Sequence, residues 1–191
     1  MAYSTIQPPF GSLKFSEVSK KELKEYGRWF HEVLPQRIVE LTRSVTSTPG
    51  FEDWTPSYAP DSLNGLGNWF ATKVKTRQHT QSELSKFPPH IMEWVSEGAL
   101  TDHTISLAMD MGMYLAQVLL HAHPSLKWDQ LFGSRNFVHY GQPVLVGFVG
   151  AVPFNPVHIV ITLAYGLAKK TKDGKALRDL YEVWSGMVEK K

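Results

Sequence analysis

The sequence predicts an α+β fold that is predominantly helical, with a buried central helix, a small antiparallel β-sheet of two or three strands and two C-terminal helices. Three observations support this prediction. The segment 101–123 is the most continuously apolar run that is long enough for a helix. Segments with helical spacing of apolar residues precede and follow it. Between them, residues 127–149 are rich in β-branched and aromatic side chains and are interrupted by turn signals.

Length and composition are those of an ordinary folded protein. The 191 residues are 42% hydrophobic and 20% charged, and the net charge of +2 is too small to indicate nucleic acid or an anionic membrane as a partner. Without cysteine, the chain has no disulfides, thiolate metal sites or cysteine nucleophiles. Its N-terminus lacks the pattern of a signal peptide. We therefore expect a cytoplasmic protein with a single domain over 1–191, comprising an N-terminal helical lobe at about 13–80 and a core at about 81–191.

The first helix of the N-terminal lobe has clear boundary signals. Ser19 and Glu22 form a capping-box pattern at its start. Pro35 is expected to kink or split it, because proline lacks the N–H that the helix needs. Pro49 and Gly50 are expected to end the second segment.

A loop and a second helix follow. The loop, residues 50–60, holds Trp54, which is either a partner-binding residue on an exposed loop or an aromatic plug that folds back onto the scaffold. Asp61 or Ser62 is expected to cap the second helix. Its basic tail, KVKTRQH, is typical of a solvated helix end. A short helix is expected around residues 90–96.

The central helix is predicted to begin after Thr101, its N-cap, and to end before Pro124. It is apolar nearly all round, which indicates burial. Polar interruptions argue against a membrane span. Gly112 inside the helix is expected to allow another backbone to approach closely.

The polar interruptions share one narrow stripe at about 100° per residue. They are His103, Ser106, Asp110, Tyr114, Gln117 and His121. Three interpretations are open: an exposed or half-exposed edge of the helix, a polar seam that faces a cleft, or an internal hydrogen-bond network. In the second, Asp110 and its flanking histidines would supply the chemistry.

Charge is unevenly distributed around this helix. Residues 88–125 contain no lysine or arginine but four carboxylates, Glu93, Glu97, Asp102 and Asp110. This asymmetry indicates an acidic cleft or contact face. Buried carboxylates need partners, and Arg77 and Arg135 are the nearest candidates in sequence.

The segment after the central helix predicts the sheet and the last two helices. Strand-like runs occur at 127–132, 136–140 and 143–149, separated by turn signals. Asn155 and Pro156 then form an N-cap and N1 pattern that predicts a helix to Lys169, with a fourth strand at 157–162 as the alternative. The final helix carries an amphipathic stripe, Leu177, Leu180, Tyr181, Trp184 and Val188, that is expected to dock on the core.

No pattern predicts a metal or cofactor site. His121 and His123 are two residues apart and would point in nearly opposite directions on a helix. His103 and His121 share a face with Asp110, yet they span about 27 Å along it and cannot bind one ion. Ser134 lacks the pattern of a nucleophile elbow, and no glycine-rich loop opens a helix for phosphate binding.

Scattered aromatic, glycine and proline positions in the C-terminal half form a further pattern. It comprises Trp128, VHYGQPVLVGF at 138–148 and FNP at 154–156, together with DMGMYL at 110–115 and LYEVW at 180–184. Together they resemble small uncharacterised bacterial cytosolic proteins found beside secreted toxins, many of which act as immunity proteins. The resemblance implies a protein-binding role in a bacterium and transfers no catalytic residue.

The leading hypothesis is therefore a non-enzymatic, intracellular binding protein, an immunity-type inhibitor of a partner toxin. The partner would be another protein, with no nucleic acid, membrane or cofactor involved, and the oligomeric state stays open. Its contact face would use Trp54, Glu93, Glu97 and Asp110.

The alternative hypothesis is a small enzyme or ligand-binding domain built on the polar seam. It would use His103, Asp110, Tyr114 and His139. Here Asp110 would orient a histidine that acts as general base. This hypothesis requires a pocket in which the four side chains converge.

Overall fold

The computed structural model describes residues 3–9, 14–85 and 98–188. These residues form an α+β fold that is mostly helical, as the sequence predicts, with six α-helices and two small antiparallel sheets. The helices are α1 (Lys20–Thr46), α2 (Ser62–Lys73), α3 (Gln81–Leu84), α4 (Asp102–Ala122), α5 (Pro156–Ala168) and α6 (Ala176–Gly186). The strands are β1 (Thr76–Arg77), β2 (Ala99–Leu100), β3 (Lys127–Gln130) and β4 (Pro143–Val146).

Helix α4 is the central helix, and its boundaries confirm the prediction. The Thr101 side chain caps it by accepting a hydrogen bond from the Thr104 amide. It packs most extensively on α5 and also on α1. The predicted close approach at Gly112 is confirmed, because a Cβ there would lie 2.8 Å from the Pro156 carbonyl oxygen. Among the described helices, α4 is long and apolar enough to cross a membrane, but most of it is buried inside the fold, which is compatible with a soluble protein.

Helix α1 begins with the predicted capping box of Ser19 and Glu22. The expected split at Pro35 is wrong, because the helix continues through this residue to Thr46. Proline removes one intrahelical hydrogen bond, but apolar side chains before and after it stay packed in one core. These are Phe30, Leu34, Ile38 and Leu41. Tertiary packing of an amphipathic face therefore outweighs the local cost.

The β-structure differs from the prediction at two places. Strands β3 and β4 pair antiparallel, with Trp128 opposite Leu145, but the expected strand at 136–140 forms turns, so this sheet has two strands. The basic tail after α2 contains strand β1, which pairs with β2. Such two-residue strands are too short to show a two-residue periodicity in the sequence. At 157–162 the predicted helix is confirmed as part of α5, and the alternative strand is wrong.

Helices α5 and α6 complete the core. The Asn155 side chain accepts a hydrogen bond from the His158 amide and caps α5, as predicted. Helix α6 packs on α2, with Leu177 fully buried. One hydrophobic cluster therefore includes side chains from both the expected N-terminal lobe and the expected core. The helix predicted around residues 90–96 lies outside the described residues.

Candidate functional site

The polar stripe of α4 is anchored by a buried ion pair. Arg37 of α1 donates from Nε to Oδ1 of Asp110 at 2.8 Å and from Nη2 to Oδ2 at 2.7 Å. The partner of this carboxylate is therefore neither Arg77 nor Arg135. Arg37 follows Leu34 on the buried face of α1, where that helix packs on α4.

The N-terminal strap, residues 3–9, closes this pair from outside. The Tyr3 hydroxyl donates to Asp110 Oδ2 at 2.5 Å and accepts from Arg37 Nη2 at 2.7 Å. Ser106 Oγ lies 2.9 Å from the Tyr3 hydroxyl and accepts from the Ile6 amide at 2.7 Å. At Ser106 and Asp110 the stripe is thus an internal hydrogen-bond network, and the interpretation as an exposed edge is wrong there.

Burial governs the electrostatics of the network. It raises the pKa of Asp110, and the hydrogen bonds from Arg37 and Tyr3 oppose that rise. Burial also raises the pKa of the Tyr3 hydroxyl, with the nearby Asp110 carboxylate adding to the effect. Asp110 is 0% exposed, so in this fold it can neither contact a partner nor act as a base on a substrate.

Tyr114 and Trp54 form a separate aromatic cluster. The Tyr114 hydroxyl lies 2.7 Å from Ser62 Oγ and accepts from the Tyr58 amide at 3.3 Å. Trp54 donates from Nε1 to the Ser62 carbonyl oxygen at 2.9 Å, and its ring meets the Tyr114 ring edge-on at 5.5 Å. Trp54 is therefore the folded-back plug of the two interpretations, and much of its surface is already used within the chain.

The remaining predicted site residues do not converge. His103 is exposed and its ring meets Tyr3 at 5.0 Å. His139 lies in the loop before β4, with its ring 5.5 Å from that of His158, and no described ring contact or hydrogen bond joins it to His103, Asp110 or Tyr114. The pocket that the catalytic alternative requires does not form from these four. Glu93 and Glu97 lie outside the described residues.

A cleft of about 500 Å³ lies between α1 and β3, here called the α1–β3 cleft, and the sequence did not predict it. Its lining residues are Lys21, Lys24, Glu25, Gly27, Arg28, His31, Trp128, Asp129 and Gln130. Among these described lining residues, three cations at helical spacing, Lys21, Lys24 and Arg28, outnumber two carboxylates. The spacing of the cations is visible in the sequence, but Trp128 is about a hundred residues away, so only the fold reveals the cleft.

The floor of the cleft is aromatic and is fixed by packing and hydrogen bonds. Trp128 is half-buried, and its ring contacts Phe30 at 5.4 Å and His31 at 5.5 Å. Burial lowers the pKa of His31 below 6.5, which favours its neutral form at pH 7. Gln130 donates to the Leu23 carbonyl oxygen at 2.6 Å and ties β3 to α1. A Cβ on Gly27 would lie 2.6 Å from Gln130 Oε1, so glycine permits this approach.

Within the described ranges, no group of three or more His, Asp or Glu residues is placed to hold a metal ion. Comparison with known proteins adds no family. No protein-family model matches the chain, and no similar protein was found among curated proteins or solved structures.

Proposed function

We propose that this chain is a protein-binding module of the immunity type, which acts by occupying a partner protein and not by catalysis. Its contact face is the α1–β3 cleft. The observation that carries the proposal is a cationic rim around a half-buried tryptophan. Tryptophan and arginine are enriched at the residues that dominate protein interfaces.

The packing around Trp128, at the floor of the α1–β3 cleft, favours binding with little rearrangement. The Trp128 ring packs against the rings of Phe30 and His31, and Gln130 ties its strand to α1. A partner therefore meets a side chain that has already lost much of its conformational freedom, which reduces the entropic cost of association.

The charges of the rim indicate the chemistry of the partner. Arg28 forms only a long ion pair with Glu25, 3.9 Å from Nη2 to Oε1, and its side chain is mostly exposed. Lys21 and Lys24 are exposed on the same side of α1. A complementary surface would be acidic, because opposite potentials accelerate association and exclude wrong partners. We propose an acidic face of a toxin domain as this surface.

The proposed face replaces the one expected around residues 93–110. Asp110 is buried in the ion pair and Trp54 packs within the chain, so neither side chain is available for the contact face expected from the sequence. A bacterial cytoplasmic location belongs to the same proposal; the lack of cysteine is consistent with it.

Site-specific photo-crosslinking tests the proposal. A photoreactive phenylalanine analogue replaces Lys21 at the rim of the cleft, and in a control it replaces Val39, which is 68% exposed on the same helix but outside the cleft. We expect position 21 to give one specific adduct in cells that encode the chain, with an acidic protein identified by mass spectrometry. Equal labelling from both positions, or adducts only with nucleic acid, would overturn the proposal.

A further inference from the structure

A second cavity, of about 200 Å³, lies where α1, α4 and α5 meet. Most of its described lining residues are apolar or aromatic, among them Phe15, Tyr26, Phe30, Met109, Val157 and Ile161. Phe15, in the turn before α1, meets Tyr26 edge-on at 5.1 Å. A water molecule occupies about 30 Å³ in the liquid. This cavity therefore has room for a larger molecule and is suited to a small ligand.

Among the described lining residues, His158 offers a hydrogen-bonding group at the rim of this cavity. His158 is exposed at the rim, and none of the described residues forms a hydrogen bond with its ring nitrogens. Its backbone is held by Asn155, whose Oδ1 accepts from the His158 amide at 3.0 Å. Asn155 is 2% exposed, and its Nδ2 donates to Gln142 Oε1 at 2.8 Å. The His158 ring also packs on His139. The His158 imidazole is thus positioned at the mouth of the cavity, without a hydrogen-bond partner among the described residues.

We propose that this cavity binds a small, uncharged, mostly apolar molecule of about one aromatic ring system, with one polar group hydrogen-bonded to His158. The size follows from the volume, since a cavity of about 150 Å³ in another protein holds benzene. The ligand is uncharged because no lysine, arginine or carboxylate is among the described lining residues, and an unpaired buried charge is costly. This site is distinct from the α1–β3 cleft and does not depend on the proposed function.

Ligand-observed NMR with phenol and toluene as probes tests the site on the full chain. Both probes should bind saturably, with dissociation constants in the millimolar range or tighter. His158→Ala should weaken phenol about tenfold and leave toluene unchanged, because only phenol can hydrogen-bond to the imidazole.

A pair of matched variants locates the binding. Ile161→Phe fills the cavity and should abolish binding of both probes. Ile159→Phe makes the same change on the same helix, at a residue that does not line the cavity, and should retain it. The proposal is overturned if the folded wild-type chain binds neither probe, or if Ile161→Phe binds both as the wild type does. Should Ile161→Phe fail to fold, an unchanged phenol affinity in His158→Ala overturns it instead.

Discussion

Arg37 binds Asp110 with two hydrogen bonds, at 2.8 Å from Nε and 2.7 Å from Nη2, and so joins α1 to α4 inside the core. The pair is almost inaccessible, with Arg37 9% and Asp110 0% exposed. Tyr3 completes the shell of this polar cluster, which therefore links α1, α4 and the N-terminal strap inside the fold.

Breaking the Arg37–Asp110 pair from one side should be costly. Arg37→Met leaves a buried carboxylate without its cation, and we expect a loss of about 3–5 kcal/mol in the free energy of unfolding. The double variant Arg37→Met/Asp110→Leu removes both charges and should lose less than Arg37→Met alone. Urea denaturation of the two variants measures this. A loss below about 1 kcal/mol in Arg37→Met would show that the pair is not a structural anchor.

Tyr3→Phe should loosen the N-terminal strap. The variant removes the hydroxyl that bonds Asp110 and Arg37, with an expected cost of about 1–3 kcal/mol. Hydrogen exchange at the Ile6 amide, which donates to Ser106, should accelerate. Ser4→Ala changes an exposed side chain of the same strap and is expected to leave that exchange rate as in the wild type. Equal rates in Tyr3→Phe and Ser4→Ala would contradict the anchoring role.

Gly112→Ala should destabilise the contact between α4 and α5. The new Cβ would lie 2.8 Å from the Pro156 carbonyl oxygen and 2.9 Å from Val157 Cα, and such overpacking typically costs about 1–3 kcal/mol. Gly186→Ala is the matched control, because a Cβ there meets no atom within 4 Å. Thermal unfolding should show a lower midpoint for Gly112→Ala alone. Equal midpoints would disprove the close approach.

Acid should weaken the fold through His139. Burial, and then the proximity of His158, lower the pKa of His139 below its ordinary 6.5. The unfolded chain therefore takes up the proton first, so this contribution to stability is present above about pH 6.5 and is lost as pH falls through the lowered pKa. The urea midpoint should be lower at about pH 5.5 than at about pH 7.5, and less so in His139→Gln. An NMR titration that places the His139 midpoint at or above 6.5 would contradict this.

Local signals in the sequence predicted the helices well. Ser19, Thr101 and Asn155 are N-caps whose partners lie three residues away, so the short-range pattern contains the whole interaction. Gly112 also indicated its packing role, because a glycine is costly inside a helix unless another backbone must come close to it. The expected split at Pro35 was wrong because long-range packing outweighs a local penalty there.

Contacts between distant residues could not be predicted in the same way. The sequence indicates that Asp110 needs a partner if buried, but Arg37 lies 73 positions away and nothing in the spacing selects it over Arg77 or Arg135. Tyr3, in a segment without any helix or strand signal, completes the same network. The α1–β3 cleft likewise depends on bringing Trp128 against α1.

The most direct test of the proposed function uses the partner that photo-crosslinking identifies. Its dissociation constant and association rate are measured with charge-reversal variants of this chain at two ionic strengths. Lys24→Glu should weaken binding at least about tenfold, or about 1.4 kcal/mol, mainly through slower association that is less sensitive to salt. Lys175→Glu changes net charge equally at an exposed residue outside the cleft and should bind like the wild type. If Lys24→Glu binds the partner as tightly as Lys175→Glu does, the α1–β3 cleft is not the contact face.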